Sequence, residues 1–326
     1  CALSALEKAA SLSPRSAEAQ FNLGLARLQT GQMPGAIAAF RAALTLRPDL
    51  GSARSALGTA LIETNDLAGA EREFLTVLRT APRDGAALRG LARVLILGQQ
   101  FARAIPYLKQ ALAQEPREIG HYLALGLAHA ENGQREEAAA ILKKGLALAP
   151  QVAALHFNLA NVYGGQERYA DAAREYGDTL RLDPANEDAR LGLASALAAN
   201  REFDKVLPVI NAYRGPVEFR KEYLLGLSLR GLARHAEAEP HLRRAVELDA
   251  AHADAQYQLG FVLSGAAGAF AASDPVDRLI DLAYAPKQIY RANGRWVMNR
   301  ATEAAIRKLK DGDGNYIWQP GASAGQ

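Results

Sequence analysis

Residues 153–186 read AALHFNLANVYGGQERYADAAREYGDTLRLDPAN, and four marks in this stretch decide the fold. They are Leu159-Ala160, Ala172, Tyr176 and Pro184. Working outward from Pro184, prolines stand at Pro150, Pro116, Pro82, Pro48 and Pro14, each 34 residues before the last. Toward the C-terminus Pro216 follows after 32 residues and Ala250 after 34 more, so one repeat has lost two residues. Leu159-Ala160 aligns with Leu23-Gly24, Leu57-Gly58, Leu91-Ala92, Leu125-Gly126, Leu193-Ala194, Leu225-Gly226 and Leu259-Gly260. Ala172 continues Ala36, Ala70, Ala104 and Ala138, and Tyr176 continues Phe40, Phe74, Leu108 and Leu142.

Each mark has a physical job in a pair of helices, A and B. The small Gly or Ala lets helix A approach helix B closely, and the alanine series is its counterpart on helix B. The bulky group fills the wedge between successive pairs. Proline cannot continue a helix and sits just past the end of helix B. Gly31, Asn65, Gly98 and Gly133 lie where helix A must stop, at positions expected to be left-handed. Composition agrees: hydrophobic residues make up 49%, aromatics only 7%, and alanine fills much of the rest. Alanine is the best helix former and a poor strand former, so closely packed helices are expected over a sheet sandwich.

These spacings resemble the tetratricopeptide repeat, a 34-residue helix-turn-helix unit. The resemblance implies an all-α fold, a right-handed superhelical solenoid, over residues 1–263. It divides into full repeats 17–50, 51–84, 85–118, 119–152, 153–186, 187–218 and 219–252. A half repeat, 1–16, precedes them as a helix B, and another, 253–263, follows as a helix A. The family's usual Trp near the start of helix A is absent; those positions hold Gln20, Arg54, Leu88, Tyr122, His156 and Arg190.

After Ser264 the period stops, and both tryptophans, Trp296 and Trp318, lie beyond it. Asp274 and Pro275 read as a helix start, followed by an amphipathic run over 276–282. Residues 295–299 and 315–318 read as short strands, with a helix over 302–310 between them. The wording GAAGAFAASDPVDRLIDLAYA, then YRANGRWVMNRAT, then AIRKLKDGDGNYIWQPG, resembles the HK97-type major capsid protein of tailed bacteriophages. Residues 264–326 are thus expected to be a linker plus a capsid-like α+β fragment, too short to assemble into a shell alone. The junction has three readings: a gene fusion, an assembly error, or a deliberate joining.

The chain offers little chemistry. Lys and Arg number 38 against 35 Asp and Glu, a net charge of +3, which is too balanced to point to nucleic acid. One cysteine excludes a disulfide framework or a cysteine-based zinc cage. The histidines form no HExxH or other i,i+4 ligand pair. The run Asp311-Gly312-Asp313-Gly314-Asn315 lacks the later ligands of a calcium loop and reads as a turn. Glycines 265 and 268 lack the Lys and Ser/Thr of a phosphate loop, and no GxSxG is present. No enzyme, cofactor, metal or small-molecule substrate is expected. No apolar run is long enough to span a membrane, and a cytoplasmic bacterial protein is the expected setting. Lipidation of Cys1 is the alternative, although Cys1 leads directly into helix B wording.

In the family that the repeats resemble, helix A lines the concave surface of the solenoid. Carried onto this chain, that wall includes Phe21, Asn22, Leu25, Arg89, Arg93, Leu123, Leu127, Phe157, Asn158, Asn161, Leu191 and Ser195. Such a wall suits a peptide or partner-protein segment. Asn amides can satisfy a peptide backbone, and Phe and Leu supply contact area. Arg89 and Arg93 stand one turn apart with no acid evident on that face, which reads either as an anion-accepting spot for an acidic or phosphorylated peptide or as a solvated charged face. The chain is therefore expected to be a non-catalytic interaction scaffold. Two rival readings are a virion protein and a regulatory arm of an enzyme.

Overall fold

The computed structural model describes residues 2–216 and 218–265; the capsid-like segment lies outside the described residues. They divide into two compact units, with the boundary between residues 166 and 167. The first holds α1 (Ala2–Leu12), α2 (Ala17–Gln29), α3 (Met33–Leu46), α4 (Gly51–Glu63), α5 (Leu67–Thr80) and α6 (Gly85–Leu97). It continues through α7 (Phe101–Gln114), α8 (Ile119–Glu131), α9 (Arg135–Leu148) and α10 (Ala153–Gly165). The second holds α11 (Tyr169–Leu182), α12 (Glu187–Ala199), α13 (Phe203–Asn211), α14 (Phe219–Gly231), α15 (His235–Leu248) and α16 (Ala253–Gly265). No strand occurs among the described residues.

From α2 onward, even-numbered helices of 13 residues alternate with odd-numbered helices of 14. The exception is α13, with nine residues. That is where the chain has lost two residues, so the deletion shortens a second helix and leaves the first helices at full length. Side-chain caps start several first helices: Ser16, Asp84 and Asn186 each accept from the backbone N–H three residues on. Such a cap contributes about 1 kcal/mol.

From α3 to α10 a fully buried apolar residue recurs in every helix at half-repeat spacing. Phe40, Leu57, Phe74, Leu91, Leu108, Leu125, Leu142 and Leu159 are all at most 3% exposed. In the second unit Leu225, Leu242 and Leu259 continue the pattern. Each buried side chain of this size stabilises the fold by about 1.5–3 kcal/mol. The bulky residue of several second helices lies against glycine. A Cβ on Gly24 would sit 2.5 Å from the Phe40 ring, and one on Gly58 2.7 Å from the Phe74 ring. Phe74 also reaches the next pair, where a Cβ on Gly90 would lie 2.3 Å from its ring. Tyr176 meets Gly192 in the same way.

The turns after first helices are left-handed at Gly31, Asn65 and Gly133, with φ of 75°, 61° and 78°. Gly98 is a correction: its φ is −82°, and the left-handed residue is the next one, Gln99, at 55°. Glu167, Arg201 and Ala233 occupy the same conformation in the second unit.

Candidate functional site

First helices of successive pairs touch directly: α2 with α4, α4 with α6, and α8 with α10 in the first unit, then α12 with α14 and α14 with α16 in the second. Successive second helices make no comparable contact. Along each of these runs the first helices therefore lie side by side.

Two clefts open between first helices in the first unit, on either side of α8. One, of about 630 Å³, lies between α6 and α8 and holds Arg89 and Arg93 at its rim. Ala92, Ile96, Leu97, Leu108 and Ala124 give it an apolar lining. The other, of about 390 Å³, lies between α8 and α10 and brings together Leu127, Asn158 and Asn161 over Leu142 and Val162. Leu127 is 36% exposed there. The Asn158 side-chain amide donates to the Ala154 carbonyl at 2.7 Å, which fixes its orientation on the helix. Leu123 and Phe157 are half-buried between these positions.

The expected anion-accepting pair requires a correction. Arg89 donates to Glu115 at 2.7 Å, and Arg93 donates to Glu63 at 3.1 Å. Both carboxylates come from neighbouring helix ends, tens of residues away in sequence, which is why the first-helix sequence showed no acid. His121, buried beneath the rim, meets the other oxygen of Glu115 at 3.2 Å. That hydrogen bond first, then the charge of Arg89, holds the Glu115 carboxyl below its ordinary value.

The remaining expected residues are spread more widely. Phe21 tilts against Phe40 with ring centroids 6.0 Å apart, and Leu25 packs on the same core; Asn22 is exposed beside them. In the second unit Leu191 is only 4% exposed and packs with Val206, Ile210 and Leu224. It belongs to the core and not to the wall, because α12 turns this face into its own pair. The Ser195 hydroxyl donates to the Leu191 carbonyl and accepts from Arg220.

Two features escape the sequence reading. The family's Trp position holds donors that reach back to the carbonyl six residues earlier. Arg54 donates to Pro48, Tyr122 to Pro116 at 2.8 Å, His156 to Pro150 at 3.1 Å and Arg190 to Pro184. Gln256 does the same to Ala250. The donors differ in chemistry, so only the shared acceptor reveals the role. The second feature is aromatic: Tyr257 and Phe261 stand 64% and 43% exposed on α16, with the Arg230 guanidinium 4.7 Å from the Phe261 ring centre.

Comparison with known proteins agrees with this architecture. Three tetratricopeptide-repeat profiles match the chain, one over 2–50 and 157–216, another over 28–95 and 95–160, and a third over 223–252. A phage capsid family profile matches residues 250–326, beginning at the turn before α16. No curated protein matches the chain. Among solved structures, a tetratricopeptide repeat protein from Parabacteroides merdae ATCC 43184 is 14% identical with a TM-score of 0.56. The match covers 76% of this chain and 98% of that one. YrrB, described as a TPR protein with an unusual peptide-binding site, is 21% identical with a TM-score of 0.52, over 57% of this chain and 95% of its own. MamA from Desulfovibrio magneticus RS-1 is 22% identical with a TM-score of 0.50, over 52% and 96%. These likenesses establish the fold, and the profiles establish its unit: over residues 2–216 and 223–252 this is a chain of tetratricopeptide repeats.

Proposed function

We propose that the chain is a non-catalytic scaffold that holds an extended segment of a partner protein across the first-helix face of its first unit. The observation that carries this reading is the pair of neighbouring clefts on either side of α8. One is mainly apolar and the other is edged by Asn158 and Asn161, which supports a ligand with both side chains and backbone to satisfy. YrrB's peptide-binding site, on the same fold, adds support. The proposal keeps residues 1–263 as the binding array and 264–326 as a separate capsid-derived segment. It does not ask for an acidic peptide, because Glu63 and Glu115 already neutralise the two arginines.

Selection from a random peptide library on the full chain tests the reading. Binders are expected, and Asn158→Ala with Asn161→Ala should weaken them at least tenfold, about 1.4 kcal/mol. Lys144→Ala, exposed on α9, should leave affinity unchanged. An empty selection, or binders indifferent to the asparagines, would contradict it. The capsid-family match over 250–326 favours a second reading, a virion-associated protein. Co-sedimentation with assembled phage shells would support that role, and its failure would remove it.

A further inference from the structure

We propose that residues 276–282 dock on α16 as the second helix of an eighth repeat, with Val276 seated against Gly260. In four earlier pairs a glycine of the first helix stands sixteen positions before the bulky residue of the second. They are Gly24 with Phe40, Gly58 with Phe74, Gly126 with Leu142 and Gly226 with Leu242. A Cβ on each of these glycines would lie 2.5–2.7 Å from the bulky side chain. Gly260 holds the same place on α16, after Leu259 as Gly226 follows Leu225. Among the described residues, a Cβ on Gly260 would meet nothing within 4 Å. No described residue takes the part of Phe40 or Leu242 there.

The chain itself supplies the occupant. Val276 stands sixteen positions after Gly260, and its neighbours keep the register of a second helix. Ala272 continues the small series through Ala172 and Ala238. Leu279 falls at the place of Val77, Ala111 and Ala245, each at most 2% exposed. Ile280 continues Leu44, Leu78 and Val246, and Leu282 continues Leu46, Leu148 and Leu248. The polar residues agree as well: Asp277, Arg278 and Asp281 fall where α15 has Arg243, Arg244 and Glu247, none of them buried. Proline is tolerated at this point of a second helix. Pro106, Pro208 and Pro240 lie inside α7, α13 and α15, two residues before Leu108, Ile210 and Leu242. Pro275 stands one residue before Val276 and, with Asp274, reads as a helix start, so the seated residues all follow it. The segment is tethered to α16, so docking is intramolecular and needs no second molecule. Residues 276–282 also lie within the stretch that the phage capsid profile matches, 250–326. Their docking fixes the capsid-like segment against the end of the array by packing, beyond a linker alone. Peptide binding on the first unit neither requires this contact nor forbids it.

Hydrogen–deuterium exchange on the full chain tests the docking. The amides of 279–282, past the unbonded first turn of a helix begun at Asp274, are expected to exchange at least tenfold below their intrinsic rates. Gly260→Leu fills the place of Val276 and should return these amides to about their intrinsic rates, with α2 to α10 unchanged. With that place empty, leucine would only favour α16 over glycine. Val276→Asp removes the apolar contact from the other side and should have the same effect. Exchange of 279–282 at intrinsic rates in the unaltered chain would overturn the proposal, because nothing is then docked. Protection that survives both variants would also overturn it, because the segment then packs somewhere other than Gly260.

Discussion

The Tyr122 phenol donates to the Pro116 carbonyl at 2.8 Å while its ring is almost fully buried. Removing the donor strands that carbonyl at the end of a helix pair. Tyr122→Phe should therefore cost about 1 kcal/mol in urea denaturation. An unchanged midpoint would mean that the carbonyl is served by water. The missing Trp at this position was legible in the sequence. The shared role of Arg54, Tyr122, His156 and Arg190 was not, because their acceptor lies six residues away and is brought near only by the turn. Left-handed turns were legible where the residue type marks them, as at Gly31, Asn65 and Gly133. They were silent at Gln99 and Ala233, whose side chains give no sign of positive φ. Ala233, at φ 60°, is in a conformation that costs an L-residue roughly 1–2 kcal/mol. Ala233→Gly should relieve it and raise stability by about 0.5–1 kcal/mol after glycine's own entropy cost.

Pairs of helices close on one another where glycine meets a ring. A Cβ at Gly90 would sit 2.3 and 2.4 Å from atoms of Phe74, closer than any tolerated contact. Alanine's helix propensity favours Gly90→Ala by about 1 kcal/mol, whereas overpacking costs about 1–3. At this distance the second effect should win. The variant is expected to lose stability, and Phe74→Leu in the same chain should recover part of the loss. A stabilised Gly90→Ala would show that the two pairs are packed more loosely. This contact was legible as two series in phase, Phe74 with the small residues; that Phe74 touches both Gly58 and Gly90 needed the structure. The second helices of the second unit begin on local ion pairs. Asp171 is held below its ordinary pKa by Arg168, Glu202 by Lys205 and Glu237 by Arg234. A lowered carboxyl pKa gives stabilisation that is present above the unfolded value and is lost as pH falls through the folded one. Protection of the amides at the starts of α11, α13 and α15, taken relative to the intrinsic exchange rate at each pH, should thus hold at neutral pH and fall below about pH 4. A fall already near pH 6 would rule the pairs out as the cause.

At the scale of the molecule, the array was legible because each repeat restates the same solution to burying one helix pair against the next. The proposed binding surface was legible only in part. The expected wall follows the first helices, yet Leu191 is buried and the arginines are paired by Glu63 and Glu115 from distant turns. Burial and charge balance are properties of neighbours, and a periodic sequence pattern does not carry them. No helix among the described residues is long and apolar enough to cross a membrane. Hydrogen–deuterium exchange on the full chain, with and without a library-selected peptide, tests the central claim most directly. Slowed exchange confined to α6, α8 and α10 is the predicted result. Protection on α7 and α9 instead, or on no helix of the first unit, would contradict it.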